Sequence, residues 1–359
     1  MTVHRPLKSS IRPRRPKWWT WFALVAAVAL AVAACGGAAT PSPSASAVAA
    51  ATAGTSPDGS EAAPIASPAG PPEMATIQLG LLPLADVAPV YIGIEEGYFE
   101  DEGLTIEIVP VQGGAAAIPA LVNGELDITF GNYVSFFLAS NSGIDLRIIA
   151  DQNHATPGFS SIMTLPDSGI SAPADLVGKK LSVNTLSNVA EITSRAQIKD
   201  AGADPDAVEY TEIPFPDMIA ALEQGSVDAI FAVEPFATLA KQQLQAVEVV
   251  NPYGGRLEGF PVAGFQATAE FAEQNPNTIG AFQRAMVKAS ALAADTPDSV
   301  VAILPTYTTL TPELAATIAQ PLYVSEIDLA SLQTVVDLMV EFGVLDAAPD
   351  LNSLVIPTA

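Results

Sequence analysis

Short apolar strands alternate with helical segments over most of this 359-residue chain, and this alternation limits the folds that it can adopt. Strands are predicted at 76–81, 105–109, 126–130, 146–150, 181–183, 208–213, 229–232, 247–250 and 262–268. Helices are predicted between most of them, and then at 276–294, 298–304, 312–319 and 328–342. Because the connections are short, this order is typical of parallel βαβ units. The sequence therefore predicts an α/β protein with a helical C-terminal tail.

A seven-residue pattern occurs twice within this alternation. Residues 121–127 (LVNGELD) and 222–228 (LEQGSVD) share the form L-x-x-G-x-x-D. In each copy the glycine is predicted to close a helix in the left-handed conformation before an apolar strand begins. The repeat predicts two lobes that are built alike, each around a mainly parallel sheet. The predicted boundaries are 74–165 plus 259–359 for lobe one and 166–258 for lobe two, with chain crossings near 160–166 and 252–262.

The first 34 residues have the layout of an export signal. Six basic residues precede an apolar run at 18–34, which ends in small residues before Cys35. This layout predicts a lipoprotein signal peptide over 1–34 that is cut before Cys35 once the sulfur carries an acyl lipid such as palmitate. The apolar run is also close to the roughly 20 residues that span a bilayer, so an uncleaved membrane anchor stays open. The pair Arg14 and Arg15 leaves a twin-arginine export route open as well.

Cys35 is the only cysteine of the chain, which excludes a disulfide within one molecule and any cysteine-based metal site. Residues 35–73 are mostly Ala, Ser, Pro, Thr and Gly, and they lack the apolar residues that offset ordering entropy, so a disordered tether is predicted.

Beyond the leader the chain holds 9 basic and 39 acidic residues. Such a surface repels nucleic acid and anionic lipid.

Residues 91–104 (YIGIEEGYFEDEGL) contain the pattern G-x-x-x-G-Y-F-x-x-x-G-L. With the segments 175–180 (DLVGKK) and 227–236, this pattern resembles the periplasmic solute-binding proteins for taurine, alkanesulfonates, nitrate and thiamine-pyrimidine precursors, although Gly93 stands where that family usually has alanine. The resemblance covers about 76–342. It implies a type II periplasmic-binding-protein fold, closure of two lobes on a ligand, service to an ABC importer, and no catalysis.

The loops that follow the strands of lobe one supply the first candidate ligand-binding residues, because ligands of open parallel sheets bind beyond the carboxyl ends of the strands. Asp86 either holds a ligand N–H group or caps the next helix. Gly113 and Gly114 either let backbone approach a ligand or only form a tight turn. Asn132 and Tyr133 either contact a ligand or, respectively, cap a helix and pack in the core.

Lobe two supplies the remaining candidates. A polar run before a predicted helix comprises Asn184, Thr185, Ser187 and Asn188. Either these four groups cradle an oxygen-rich ligand group, or Ser187 or Asn188 only caps the helix. Phe215 offers an aromatic face, and Glu234 is either a helix-start acid or a partner for a cationic or N–H-rich ligand. His154 is expected to be structural or exposed rather than a ligand-binding group.

No nucleophile elbow, Walker loop, zinc motif or post-strand G-x-G-x-x-G is present, so neither an enzyme nor a cofactor or metal is expected. We expect an extracytoplasmic, lipid-anchored monomer that passes a small-molecule ligand to an ABC permease and binds no nucleic acid. Few Lys or Arg residues lie near the candidate loops, which favours a neutral or cationic heterocycle, such as a pyrimidine, over a sulfonate or nitrate. A surface-anchored sensor or a divergent enzyme on the same fold is the alternative.

Overall fold

A computed structural model of the chain describes residues 70–358. The predicted signal peptide, Cys35 and most of the predicted tether lie outside the described residues. The strands are β1 (Thr76–Leu81), β2 (Thr105–Pro110), β3 (Ile128–Asn132), β4 (Leu146–His154), β5 (Ser160–Thr164), β6 (Lys180–Val183), β7 (Glu209–Glu212), β8 (Ala229–Val233), β9 (Val247–Val250), β10 (Pro261–Thr268) and β11 (Leu322–Tyr323). The helices are α1 (Ala88–Glu95), α2 (Tyr98–Asp101), α3 (Gly114–Val122), α4 (Tyr133–Asn141), α5 (Val189–Asp200), α6 (Phe215–Glu223), α7 (Phe236–Leu244), α8 (Ala269–Gln274), α9 (Pro276–Asp295), α10 (Pro297–Tyr307), α11 (Pro312–Ala315) and α12 (Leu329–Glu341).

Two sheets divide the described residues into two α/β lobes. The strand order is β11-β4-β10-β3-β1-β2 in the first sheet and β7-β6-β8-β5-β9 in the second. The α/β class and the helical tail are confirmed, but the sheets are mixed rather than mainly parallel. β1 pairs in parallel with β2 and β3, and β6 with β7 and β8, whereas β4, β5, β9, β10 and β11 form antiparallel pairs.

The antiparallel pairs arise where the chain changes lobes. The chain leaves the first lobe at the end of β4 and returns to it at the start of β10, so these neighbours run in opposite directions. Ser160–Thr164, which we expected in lobe one and its connection, is strand β5 of the second sheet. All five of its residues are buried there. The first crossing therefore lies at 155–159, before the predicted 160–166.

The repeated L-x-x-G-x-x-D pattern has the same role in both lobes. Gly124 and Gly225 follow α3 and α6 with φ of 72° and 67°, the left-handed conformation that favours glycine. The aspartate of each copy accepts a hydrogen bond from the backbone N–H of a parallel neighbour strand. Asp127 accepts from Gln78 of β1 at 2.7 Å, and Asp228 accepts from Lys180 of β6 at 2.8 Å. The pattern therefore ends a helix and aligns the next strand.

The C-terminal helices pack on the first lobe. α9 contacts α1, α2 and β4, and α12 contacts α4 and β10. Glu73, which we predicted as the last residue of the tether, docks on the start of α9. Its carboxylate accepts hydrogen bonds from the backbone N–H groups of Asn277 (3.2 Å) and Thr278 (2.9 Å), where the helix dipole favours an acid. Among residues 70–358, no helix has the length and apolar character needed to cross a bilayer.

Candidate functional site

The candidate site is a cavity between the two lobes, at the carboxyl ends of the parallel strands. The first lobe lines it with the segments after β1 and β2, the end of β3 and the start of β10. The second lobe adds the segments after β6 and β7, residues of β5 and β8, and the second crossing. The cavity measures about 50 Å³, several times the ~10–15 Å³ that one water needs. A neighbouring cavity of about 150 Å³ shares Leu82, Leu84 and Phe215 with it and extends the space for a small solute.

Asp86 is the acidic residue of this cavity. Its side chain is 2% exposed, and Oδ1 accepts a hydrogen bond from Nδ2 of Asn153 at 3.2 Å. Oδ2 has no hydrogen-bond partner among the described atoms. Burial raises the pKa of the carboxyl group from 3.8 to about 7. The alternative that Asp86 caps a helix is wrong, because α1 has no side-chain cap and the carboxylate is turned towards β4.

Distant side chains hold the backbone around Asp86. Three consecutive carbonyl groups, of residues 84–86, each accept a hydrogen bond from a side chain far away in the sequence. The Tyr307 hydroxyl donates to the carbonyl of residue 84 at 3.0 Å, and the Tyr323 hydroxyl donates to that of residue 85 at 2.8 Å. The Gln152 side-chain amide donates to the carbonyl of residue 86 at 2.6 Å. The loop is thus preorganised by β4 and the helical tail. Sequence reasoning missed these donors, because they lie 66 to 238 residues from the carbonyls that they bind.

The predicted glycines and Asn132 line the cavity. A Cβ atom on Gly114 would lie 2.7 Å from the Cα of Gly131, so only glycine lets α3 start so close to β3. Asn132 also caps α4, since its Oδ1 accepts from the backbone N–H of Ser135 at 2.9 Å. Asn132 therefore caps α4, as one of the two alternatives had it, and its place in the cavity lining leaves the predicted ligand contact open.

Tyr133 is fully buried and is not among the cavity-lining residues, so it has the core-packing role that we gave as the alternative to a ligand contact. Its hydroxyl donates to Oδ1 of Asp151, and Oδ2 of Asp151 lies 3.0 Å from Nε2 of His154. Side chains of adjacent residues at a strand end project in different directions, so Asn132 faces the cavity and Tyr133 the core. His154 belongs to this buried polar network, in agreement with a structural role.

In lobe two, Asn184 and Phe215 line the cavity, whereas Thr185, Ser187 and Asn188 do not. Ser187 has a φ of 53°, and its backbone N–H donates to Glu191 at 2.7 Å. Asn188 caps α5 through the backbone N–H of Val189 at 2.7 Å. The capping alternative therefore describes Asn188, and a ligand contact by Thr185, Ser187 or Asn188 stays a prediction.

Glu234 is likewise outside the cavity lining. It is 1% exposed, and its carboxylate accepts from the backbone N–H (3.0 Å) and the hydroxyl (2.9 Å) of Thr238 in α7. It is thus the helix-start acid of our alternative interpretation. Burial raises the pKa of its carboxyl group, and the hydrogen bonds from Thr238 partly oppose that shift.

Sequence reasoning missed other cavity-lining residues, among them Ser160, Phe231 and Tyr253. The Oγ atom of Ser160 has no partner among the described atoms. Tyr253 packs edge-on against Phe231 with ring centroids 6.4 Å apart. The pKa of the Tyr253 hydroxyl is raised, mainly by burial and to a smaller extent by the nearby carboxylate of Asp86. Tyr253 lies on the crossing that we predicted at 252–262, and that position is the one signal that could have identified it.

Hydrogen bonds and ion pairs join the lobes across the cleft. The Asn188 amide donates to the Ser135 hydroxyl at 2.9 Å, and the Ala85 N–H donates to the Glu234 carbonyl at 3.1 Å. At the outer surface, Glu341 of α12 accepts from Arg256 of the second crossing (2.6 and 3.0 Å) and Lys199 of α5 (3.0 Å). These contacts describe a closed arrangement of the lobes.

Known proteins share this architecture. The alkanesulfonate-binding protein SsuA of Xanthomonas axonopodis pv. citri, solved with MOPS, superposes with a TM-score of 0.67 at 18% identity, over 79% of this chain and 99% of that one. The desulfurization enzyme DSZB superposes with a TM-score of 0.60 at 18% identity, over 79% of this chain and 97% of that one. At these identities the matches establish the fold, which is the periplasmic-binding-protein fold that the resemblance implied.

Sequence relatives are binding proteins. The formylaminopyrimidine-binding protein of Halalkalibacterium halodurans is 22% identical over 234 residues, 65% of this chain and 70% of that protein. The nitrate/nitrite binding protein NrtA of Nostoc sp. is 26% identical over 257 residues, 64% of this chain and 58% of that protein, so less than two thirds of its length is matched. The family model described as NMT1/THI5 like matches residues 85–300, more than half of the chain. The chain therefore belongs to the NMT1/THI5-like family.

Proposed function

We propose that this chain is the solute-binding component of an ABC importer, which captures a small polar solute between its lobes and passes it to a permease. The observation that carries this proposal is the cavity between two lobes joined by interlobe hydrogen bonds. Hinge closure of this kind buries a ligand almost completely. The relatives that bind formylaminopyrimidine and nitrate support the class of function, and they leave pyrimidines, nitrate and sulfonates as ligand classes.

A binding screen tests the proposal. The purified chain is heated with a dye reporter in the presence of aminopyrimidines, nitrate, taurine and alkanesulfonates, and every hit is titrated by calorimetry. A ligand at ~100 times its Kd stabilises the folded chain by ~2.7 kcal/mol, which raises Tm by roughly 5–10 °C at ~2–4 °C per kcal/mol. Saturable one-to-one binding of one class is expected. If no compound binds, the proposal is wrong.

The same titrations address the enzyme alternative, which the fold match to DSZB favours. Each bound compound is incubated with the chain and followed by mass spectrometry. A binding protein returns its ligand unchanged, so we expect the mass and amount of the compound to stay constant. Any product that accumulates in proportion to protein concentration would establish an enzyme instead.

We further propose that the lipid on Cys35 keeps this solute-binding protein at the extracytoplasmic face of the cell membrane. The layout of residues 1–35 supports this, since a basic segment, an apolar run and small residues precede the single cysteine. A Cys35→Ala variant is expected to stay unprocessed and to incorporate no labelled palmitate. Processing and labelling equal to those of the wild type would refute the lipid anchor.

A further inference from the structure

We propose that Asp86 selects a small organic cation that carries its charge on N–H groups, such as an ammonium, amidinium or guanidinium ion. The inference rests on the proposed function and narrows its ligand class. Such a ligand differs from the anions named for the nitrate- and alkanesulfonate-binding relatives. The supporting observations are the free acceptors at Asp86, the aromatic lining of the cavity and the lack of Lys and Arg among the described residues that line it.

The free polar atoms at Asp86 are hydrogen-bond acceptors. Oδ2 of Asp86 and Oδ1 of Asn153 are both buried, and neither has a partner among the described atoms. Leaving a buried carboxylate oxygen unpaired is costly, so the site is completed by a ligand that donates hydrogen bonds. Because three side chains hold the carbonyl groups of residues 84–86, the carboxylate stays in place instead of turning out to solvent.

The rest of the lining suits a cation. Phe130, Phe215, Phe231 and Tyr253 present aromatic groups to the cavity, and aromatic faces attract cations within about 6 Å of the ring centre. No Lys or Arg is among the described residues that line it. An anion would therefore meet a buried carboxylate with no opposing charge, which is repulsive in a site of low dielectric constant.

Helix starts also reach the cavity, and their N–H groups could in principle hold an anion. Two of these helix starts are already capped by side chains. Asn132 accepts from the backbone of α4, and Asn188 accepts from the backbone of α5. The donors that an anion would use are thus partly occupied, whereas the acceptors that a cation would use are free.

The ionisation of Asp86 agrees with this assignment. Burial raises the pKa of its carboxyl group to about 7, and a bound cation would favour the charged form and release a proton near neutral pH. The ionisable groups that face it are the hydroxyls of Tyr253, Tyr307 and Tyr323, whose pKa values are all raised, first by burial. These hydroxyls stay neutral at neutral pH, so the charge at this point of the cavity depends on Asp86.

Calorimetric titration of the full chain tests the inference. The probes are methylammonium, acetamidinium and guanidinium as cations, 4-aminopyrimidine as a neutral compound, and nitrate and methanesulfonate as anions. At least one cation is expected to bind saturably and to bind more tightly than every neutral or anionic probe. The variant Asp86→Asn is expected to bind that cation ~100-fold more weakly, the loss typical of a buried charge-assisted hydrogen bond.

Asp346→Asn is the matched control, because it removes the same charge from an exposed position outside the cavity lining. It should bind the cation as the wild type does. Thermal unfolding of each variant checks that it is folded. If an anion or the neutral probe binds and the cations do not, the inference is overturned while the proposed function stands. Equal cation affinity of Asp86→Asn and the wild type also overturns it. Absence of binding throughout this panel and the wider screen overturns both.

Discussion

Replacing Asp86 by asparagine should remove a pH-dependent loss of stability from the unliganded chain. The pKa of this carboxyl group rises from 3.8 to about 7 on folding because it is buried away from water. The folded state therefore binds the proton more tightly than the unfolded state. Stability from this group is greatest below pH 3.8, falls as pH rises from there to about 7, and is then constant at its lowest level.

The size of the effect follows from the shift. A rise of about three pKa units corresponds to ~4 kcal/mol in total, at ~1.4 kcal/mol per unit. Part of this loss has occurred by about pH 5, so the remaining difference between about pH 5 and about pH 8.5 is ~3 kcal/mol. Asp86→Asn has no charge to bury, and its stability should lack this component of the pH dependence.

Urea denaturation at these two pH values measures the effect. The free energy of unfolding of the ligand-free wild type should fall, between about pH 5 and about pH 8.5, by ~3 kcal/mol more than that of Asp86→Asn. Asp346→Asn should follow the wild type, because residue 346 is exposed. If Asp86→Asn and the wild type change in parallel, within ~0.5 kcal/mol, the carboxyl group does not have a raised pKa, and the electrostatic account of the cavity is refuted.

Three further substitutions test the contacts that hold the closed lobes and the cavity wall. Glu341→Gln should weaken the ion pairs with Lys199 and Arg256 by only ~0.5–1 kcal/mol, because these side chains are partly exposed. Small-angle scattering of the variant should show a larger radius of gyration than the wild type at low salt. At ~1 M salt, where the ion pairs are screened, the two proteins should not differ. Gly264→Ala places a Cβ atom 2.5 Å from the Tyr133 hydroxyl and should lower the free energy of unfolding by ~2 kcal/mol or more; an unchanged Tm would contradict this packing. Tyr323→Phe removes the 2.8 Å hydrogen bond to the Ala85 carbonyl. Urea denaturation should show a free energy of unfolding lower by ~1–3 kcal/mol, and calorimetry should show weaker ligand binding. Wild-type values for both would mean that the loop does not depend on this bond.

Much of the fold was predictable because its signals are local. Apolar runs bounded by turn residues identified β1 and β9 with their observed bounds, and the repeated glycines marked the ends of α3 and α6. The direction of strands was less predictable. β4 and β10 are antiparallel neighbours, although all residues of the second lobe lie between them in the chain. No local sequence pattern in either strand indicates this pairing or its direction.

Candidate site residues were predictable only to the level of the loop. Of the residues that we predicted to bind a ligand, the following line the cavity: Asp86, Gly113, Gly114, Asn132, Asn184 and Phe215. Tyr133, Thr185, Ser187, Asn188 and Glu234 do not, although each is close in sequence to a lining segment. At the junction of a strand and a helix, one residue of difference decides whether a side chain faces the cleft, the core or the first turn of the helix.

The sequence by itself determined most of the order of strands and helices, the two-lobed class of fold, the family resemblance and most of the loops that meet at the cleft. These properties follow from short-range patterns of apolar residues, glycines and polar caps. The tertiary structure alone decided the state of Asp86. Its burial, its contact with Asn153 and the bonds from Tyr307 and Tyr323 to the neighbouring carbonyls join residues far apart in the chain, and a pKa depends on such three-dimensional surroundings.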